Sequence, residues 1–364
     1  MTSPLSLTDD EFRLLTWPRP TLSQMTIQPE SLRRHCPLDN GRLLPRPVSL
    51  SNLGNFDILP LEIIHSIFIN FLDLQRLTDF RAVSWRARTL VDDLPPYHAI
   101  VRHSPDSLRA LLSTQMAVHF TTQDIFQALC TEACFGCGQH GPFLDLFTGH
   151  RRCIPCVLNS NDLMSIPTLW AKKDFALNSK AMRTLPTLLS LPGQYTESEK
   201  TYQKRTSLVR TRSAAAIAAS LEQEGSNGSR RRRGPLQRPV LPSSQPQQPQ
   251  QPRQLPVSRR DDGHGMNPHR FMPMIRFPSL DRRTGTLDWG ASCQACRLGP
   301  RDEKRGYSNW NNVYSATGYL DHFQKCEVSQ VARKVVPEYI IPATGGDQCM
   351  SDARFLGFLS RFKF

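Results

Sequence analysis

Apolar residues recur at helical spacing between Phe56 and Leu94, and this run is the most informative pattern in the chain. Counted from Pro60, they fall on one continuous face of a helix. This face consists of Ile63, Ile64, Ile67, Phe68 and Phe71. Pro60 suits the start of a helix, because its φ angle is already helical and its missing N–H costs nothing there. Asp73 and Ser84 can cap two further helices.

Three short helices made of about forty residues cannot bury all of this apolar surface on their own. Each large apolar side chain contributes roughly 1.5–3 kcal/mol when it is buried. The pattern therefore predicts a docking module whose exposed face is covered by a partner. The alternative is an ordinary helical hairpin within a larger core.

The order of residues in this run resembles an F-box. The resemblance is carried by Leu59-Pro60 followed by Glu62, Ile67, the segment from Leu72 to Leu77, Val83-Ser84 and a basic third helix that ends in Leu94-Pro95-Pro96. It implies a three-helix module that docks on the Skp-type adaptor of Skp-cullin-F-box ubiquitin ligases. The docking residues that it implies are Leu59, Pro60, Ile63, Ile64, Ile67 and Leu74.

The composition predicts an intracellular, soluble protein. No stretch approaches the roughly 18 apolar residues of a membrane span, and the start MTSPLSLTDDEF lacks the apolar core of a signal peptide. We therefore expect the protein in the cytoplasm, the nucleus or both. In a reducing compartment the 10 cysteines are unlikely to form a disulfide framework, so paired cysteines indicate metal ligands. Cys36, Cys130 and Cys349 have no paired spacing and are expected to be ordinary thiols.

Four cysteines have the spacing of a structural zinc site. Cys134 and Cys137 precede Cys153 and Cys156 in the segment CFGCGQHGPFLDLFTGHRRCIPC. The residues between the pairs predict a β-hairpin. His140 and His150 lie in this loop and are expected to surround the site or lie on the surface, because four thiolates already complete a tetrahedron. A metal-free cysteine cluster is the alternative.

A second set of ligands follows near the carboxyl end. Cys293 and Cys296 are followed by His322 and Cys326, and the last two are four residues apart on a predicted helix. They predict a zinc site with three cysteines and one histidine, or else a lone Cys-x-x-Cys beside an unrelated histidine. Neither set leaves a ligand position open for hydrolytic chemistry.

The chain as a whole also resembles a large group of filamentous-fungal F-box proteins. The shared features are the F-box-like run, the four-cysteine segment, the phrases WAKKDFALNSKAM and LPGQYT, and the distant Cys-x-x-Cys with His-x-x-x-Cys. This resemblance supports the second zinc site but identifies no target.

The predicted fold is mainly α with small zinc-stapled β-hairpins, that is, a small α+β protein with long disordered segments. We divide it into a disordered arm (1–52), the F-box helices (53–100), a helical segment with the four-cysteine module (101–205), a disordered basic insertion (206–265) and a carboxyl-terminal module (266–364). The last module ends in apolar residues at helical spacing: Phe355, Leu356, Leu359 and Phe362. We expect the two zinc modules to pack together across the insertion, and the F-box helices to fold independently of the metal.

The net charge of +13 is concentrated in the insertion. Twelve basic residues lie between Lys204 and Arg260, against only Glu222 and Glu224. Arg230, Arg231, Arg232 and Arg233 form a run that is a candidate nuclear import signal or contact for an acidic partner, or else a solvated linker.

Two classes of function follow. The first is a non-catalytic F-box adaptor that binds a Skp-type subunit and presents an unknown protein substrate to the ligase. The second is a zinc-containing, nucleic-acid-binding nuclear regulator. The chain has no glycine-rich phosphate loop, nucleophile elbow or metalloprotease helix, so we expect no enzymatic activity.

Overall fold

The computed structural model describes residues 7–18, 21–36, 52–195, 200–230, 267–298 and 311–339. The described part is mainly helical, with small antiparallel sheets. Its α-helices are α1 (Asp9–Leu15), α2 (Thr21–Met25), α3 (Pro29–His35), α4 (Leu61–Asn70), α5 (Leu74–Arg81), α6 (Trp85–Asp92), α7 (Pro95–His103), α8 (Pro105–Ser113), α9 (Thr122–Leu129), α10 (Ile154–Asn159), α11 (Thr168–Asp174), α12 (Ser179–Arg183), α13 (Thr211–Arg230), α14 (Pro268–Phe271), α15 (Gln294–Leu298), α16 (Ala316–Lys325) and α17 (Glu327–Tyr339). None of the described helices is long and apolar enough to cross a membrane.

The three helices predicted after Phe56 are present as α4, α5 and α6. The α4 helix follows Pro60, as the sequence predicted. The Asp73 carboxylate accepts a hydrogen bond from the Arg76 amide at 2.8 Å, and the Ser84 hydroxyl accepts one from the Ala87 amide at 3.1 Å. Both predicted caps are thus confirmed.

The strands are short, and several join distant parts of the chain. They are β1 (Thr16–Trp17), β2 (Phe143–Asp145), β3 (Arg151–Arg152), β4 (Ser165–Pro167), β5 (Leu188–Leu189), β6 (Gly193–Gln194), β7 (Thr201–Tyr202), β8 (Ser207–Arg210), β9 (Met274–Arg276), β10 (Ser279–Leu280), β11 (Leu287–Asp288) and β12 (Ser292–Cys293). β2 and β3 form the hairpin that was predicted between the first two cysteine pairs. β2 also pairs with β9, and β8 lies between β4 and β5.

One hydrophobic core connects the F-box-like helices to both halves of the chain. The shared buried residues include Ile64 and Phe68 of α4, Leu144 of β2 and Ile275 of β9. The pairing of Leu144 with Ile275 in the β2–β9 ladder confirms the prediction that the halves before and after the insertion pack together.

A buried arginine reinforces the contact between these halves. Arg151 is 2% exposed, and its guanidinium donates hydrogen bonds to backbone carbonyls from both halves. The acceptors are Ala128, Leu129, Gly141, Phe277 and Pro278. Because a buried guanidinium without acceptors is costly, this residue depends on both halves being in place.

The amino-terminal arm differs from the prediction of disorder. Its described residues form α1, β1, α2 and α3, and Leu15, Leu22 and Leu32 have no exposed surface. Their burial supplies the free energy that orders a segment whose own sequence has no lasting periodicity.

The insertion also differs from the prediction in its first part. Residues 207–230 form β8 and α13, and Ala214, Ala215 and Ala218 of α13 are buried in a second apolar cluster. This cluster also contains Ile166 and Val209 from β4 and β8. Residues 231–266 and the predicted apolar tail, 355–362, lie outside the described residues.

Candidate functional site: two metal centres and an exposed apolar stripe

The first candidate metal centre is built on the β2–β3 hairpin and the helix after it. Cys134 and Cys137 lie in a turn that ends at Gly138, whose φ of +75° is in the left-handed region that glycine adopts without strain. Cys153 caps α10, and Cys156 lies in its first turn. The hairpin brings the two pairs together, so the four predicted ligands meet in space.

The distances between the sulfur atoms fit a single tetrahedral ion. All four Sγ atoms lie within 4.8 Å of one another, and the Cys137 and Cys153 Sγ atoms are 3.4 Å apart. A tetrahedron with metal–sulfur bonds of about 2.3 Å requires sulfur atoms roughly 3.8 Å apart. The Gly136 and Cys156 amides each point at a sulfur atom, at 3.4 and 3.5 Å, and can stabilise thiolate charge.

A hydrogen bond between two of the thiols makes their pKa values differ. The interaction with Cys153 lowers the pKa of Cys134 to about 4, and the same interaction raises the pKa of Cys153. A metal ion binds thiolates, so it displaces the proton that Cys153 retains. Metal affinity should consequently fall as the pH is lowered.

The second candidate centre is formed by residues of β12, α15 and the end of α16. Cys293 ends β12 and Cys296 lies in α15, while His322 lies in α16 and Cys326 directly follows that helix. Their four ligand atoms again lie within 4.8 Å of one another. The Cys296 Sγ atom is 3.4 Å from His322 Nε2 and 3.7 Å from the Cys326 Sγ atom. The four residues predicted for this site are thus brought together as well.

Aromatic residues fix the position of His322, the candidate histidine ligand. The Tyr314 ring stacks on the His322 ring, with 4.5 Å between centroids. Burial lowers the pKa of His322, but hydrogen bonds with Cys293 and Cys326 outweigh this effect and raise the pKa to about 9. Metal binding must therefore displace a proton from this imidazole too.

The amino-terminal segment completes the second centre, which the sequence did not predict. β1 pairs with β12 so that Thr16 lies opposite Cys293. The Tyr319 hydroxyl donates to the Leu15 carbonyl at 3.0 Å, and Arg333 of α17 forms an ion pair with Glu11 at 2.8 Å. These contacts hold the segment over the side of the cluster that contains the buried Cys293.

Deleting residues 1–18 is expected to make the second centre release its metal faster. The deletion uncovers the apolar surroundings of Cys293, and loss of such surroundings weakens metal affinity on the order of 10–100-fold. Release to a coloured chelator measures this rate. The first centre serves as the internal control because its ligands lie around the β2–β3 hairpin and α10, whereas β1 pairs with β12. Equal rates for the second centre in both proteins would contradict this role of the segment.

The structure separates the predicted docking residues into two groups. Leu59, Pro60, Ile63 and Ile67 are exposed. Ile64 is 5% exposed and Leu74 is fully buried, so neither side chain is open to a partner in this conformation, and their implied docking role stays a prediction. Both belong to the shared core, Ile64 on α4, which packs against α9, and Leu74 at the start of α5.

The exposed group continues along α4 as an apolar stripe, which we define as Leu59, Ile63, Ile67 and Phe71. These residues are four apart, and Ile63 and Phe71 are 49% and 76% exposed. Sixteen large apolar side chains are exposed among the described residues, and nine of them lie between Phe56 and Trp85. Apolar exposure is therefore concentrated on this module, as expected for an interaction surface.

The two histidines of the first loop have different environments. His150 is exposed and stacks on Phe135 with 4.2 Å between ring centroids, in agreement with the prediction. His140 is buried beside residues of the second half, including Gly290 and Val313. Its burial depends on tertiary contacts, so no signal near His140 in the sequence could have indicated it.

The arginine run lies almost entirely outside the described part. Arg230 ends α13, and residues 231–233 are not described, so the prediction for this run stays a prediction. Comparison of the chain with protein-family models, with curated proteins and with solved structures found no match.

Proposed function

We propose that this protein is a non-catalytic F-box adaptor that docks on a Skp-type subunit and presents a protein substrate to a Skp-cullin-F-box ubiquitin ligase. The observation that carries the proposal is the apolar stripe on a three-helix module that begins at Leu59-Pro60. The buried face of α4 is already occupied by the core. The stripe lies directly beside that face, and it is exposed to solvent.

The stripe has the properties of a helix-recognition surface. Side chains four residues apart lie above one another on a helix, so Ile63, Ile67 and Phe71 present a continuous apolar row. Leaving such side chains in water forfeits roughly 1.5–3 kcal/mol for each one that a partner would bury. Burial of several of them supplies enough free energy for a specific complex.

We further propose that both metal ions are zinc and that they are structural. A tetrahedral set of four thiolates, or of three thiolates and one imidazole, is the donor set that zinc prefers in closed sites. In this account the two zinc centres hold the remainder of the chain as a rigid body beside the F-box helices. That body is the part that binds the substrate.

The alternative function, a nucleic-acid-binding regulator, depends on the basic residues of the insertion. Those residues lie mostly outside the described part of the chain, and Arg210, which is described, is buried in an ion pair with Asp145. The structure thus offers this alternative no specific support.

Substitution of the apolar stripe is expected to abolish adaptor binding. In Ile63→Asp with Ile67→Asp, two charges replace exposed apolar side chains, so the fold is retained while a partner would have to bury unpaired carboxylates. Affinity for a fungal Skp-type subunit, measured by calorimetry, should fall by at least about 100-fold, which corresponds to roughly 2.7 kcal/mol.

Leu169→Asp provides the matched control. Leu169 is 73% exposed on α11, outside the F-box-like helices, so its substitution introduces the same chemistry at another surface. It should leave the affinity unchanged. The proposal fails if the unmodified protein does not bind the Skp-type subunit, or if the double variant binds as tightly as the Leu169 variant.

A further inference from the structure

A cavity lies at the junction of the two metal modules. Its volume is about 280 Å³. One wall is the turn of the first centre, from Glu132 to His140, and the other runs from Asn312 to Asp321 at the start of α16 in the second. The cavity exists only because the two halves of the chain pack together.

Gly290 allows these walls to approach each other closely. Its φ is +67°, and an added Cβ would lie 2.5 Å from His140 Nε2 and 2.6 Å from Val313 Cγ1. Any other residue at this position would therefore displace the histidine. The loop that contains Gly290 is held by its neighbour Asp288, which accepts a hydrogen bond from the Gly290 amide at 2.7 Å.

Two of the lining residues have buried polar atoms without partners. His140 is 8% exposed, and neither of its ring nitrogens has a hydrogen-bond partner. The Asn312 Oδ1 atom is also buried and has no donor. Buried polar atoms are normally satisfied, so unsatisfied atoms in the wall of a cavity indicate a ligand that supplies the missing hydrogen bonds. Burial lowers the pKa of His140 to about 4, which leaves the ring neutral, with one acceptor nitrogen.

The charged residues of the cavity are both acidic. Glu132 and Asp321 line it, and neither forms an ion pair within the described part of the chain. The described lining includes no lysine or arginine. The walls thus offer two carboxylates, an amide oxygen and an imidazole nitrogen as acceptors, and no cation.

A metal ion does not fit this arrangement. Among the described residues, three or more possible ligand atoms converge within 4.8 Å only at the two cysteine clusters.

The cavity lies at the lower end of the size range of small-molecule sites, which favours a single long side chain over a folded surface.

We propose that this cavity binds an arginine side chain of a partner protein. A guanidinium carries five N–H donors and a permanent charge, which matches acceptor-rich walls that contain two unpaired carboxylates. The partner would be the substrate of the adaptor, and this identification alone rests on the proposed function. Recognition of the arginine does not require the Skp-type subunit.

A pair of peptides tests the proposal on the full-length, metal-loaded protein. The probes are acetylated Gly-Gly-Arg-Gly-Gly amide and its citrulline counterpart, which has the same length and shape but no charge. In ligand-observed NMR titrations the arginine peptide should bind at least about tenfold more tightly, because charge-assisted hydrogen bonds to carboxylates are lost with citrulline. Equal affinities, or no detectable binding of either peptide, would overturn the proposal.

Variants then locate the site. Glu132→Gln with Asp321→Asn replaces two exposed carboxylates by isosteric amides, so the fold and a metal content of two should be preserved. Affinity for the arginine peptide should fall about tenfold, to that of the citrulline peptide. Glu222→Gln, at an exposed position on α13, is the matched control and should bind like the unmodified protein. Unchanged affinity in the double variant would place the binding elsewhere and overturn the proposal, whereas failure of Skp-type binding alone would leave it standing.

Discussion

Replacing Cys134 and Cys153 with serine is expected to remove one of the two proposed zinc ions and to unfold the protein well beyond the first candidate metal centre. Zinc binding in comparable closed sites contributes on the order of 10–16 kcal/mol of apparent free energy at neutral pH. Whole domains are stable by only about 5–15 kcal/mol, so the remaining contacts cannot compensate for the loss. Elemental analysis measures the metal content, and circular dichroism measures the helix content.

The shared core changes an expectation drawn from the sequence. The F-box-like helices were expected to fold independently of the metal, but the structure places Ile64 and Phe68 in the same core as Phe143 of the hairpin. The Leu74 amide also donates to the Phe120 carbonyl, at 2.9 Å, near the start of α9. We therefore now expect these helices to be destabilised together with the metal centre.

Cys36→Ser is the matched control, because Cys36 lies outside both clusters. It should retain two zinc ions and the helix content of the unmodified protein. A double serine variant that keeps two zinc ions would contradict the assignment of the first centre. Retention of full helix content with one zinc ion would contradict the shared core.

Cutting the chain within the insertion is expected to destabilise the first half severely. A fragment of residues 1–230 lacks the apolar side chains that cover the β2–β3 hairpin, which are Phe271, Met274, Ile275 and Phe277. At roughly 1.5–3 kcal/mol each, their loss removes about 6–12 kcal/mol of burial, which is comparable to the stability of a whole domain. The fragment should show no cooperative unfolding transition in denaturant.

Two further variants make this test specific. Replacing residues 231–262 with a Gly/Ser segment of equal length should leave the unfolding midpoint almost unchanged, because loop closure depends only weakly on the chain between fixed ends. Replacement of the whole predicted insertion, from residue 206 onward, would instead remove the buried face of α13. Co-expressed fragments 1–230 and 263–364 should associate and recover the transition. If fragment 1–230 unfolds like the intact protein, the halves are independent.

The ligands of both centres could be predicted because their chemistry is encoded locally. Cys-x-x-Cys spacing places two sulfurs on one turn, and His322 and Cys326 are four residues apart at the end of one helix. Only the joining of pairs therefore depends on tertiary structure. The caps at Asp73 and Ser84 were predictable for the same reason. In each case the neighbours in sequence are also the partners in space.

Several features that depend on distant contacts were not predicted. β1 is ordered because Thr16 pairs with Cys293, and nothing near residue 16 indicates this pairing. Likewise, helical spacing marked Ile63 and Ile64 as equally apolar, but only the position of α9 determines that Ile64 is covered while Ile63 is exposed. The α13 helix is a different case, because its alanine-rich start has high helix propensity and should have limited the predicted disorder.

The most direct test of the account is a hydrogen-exchange measurement on the zinc-loaded protein with and without a Skp-type subunit. Docking through the apolar stripe predicts slower exchange in the complex at the amides around residues 56–71, since bound side chains suppress opening of α4. Amides of the two metal centres and of the cavity between them should exchange at unchanged rates. Protection centred on the metal modules, with residues 56–71 unaffected, would contradict the account.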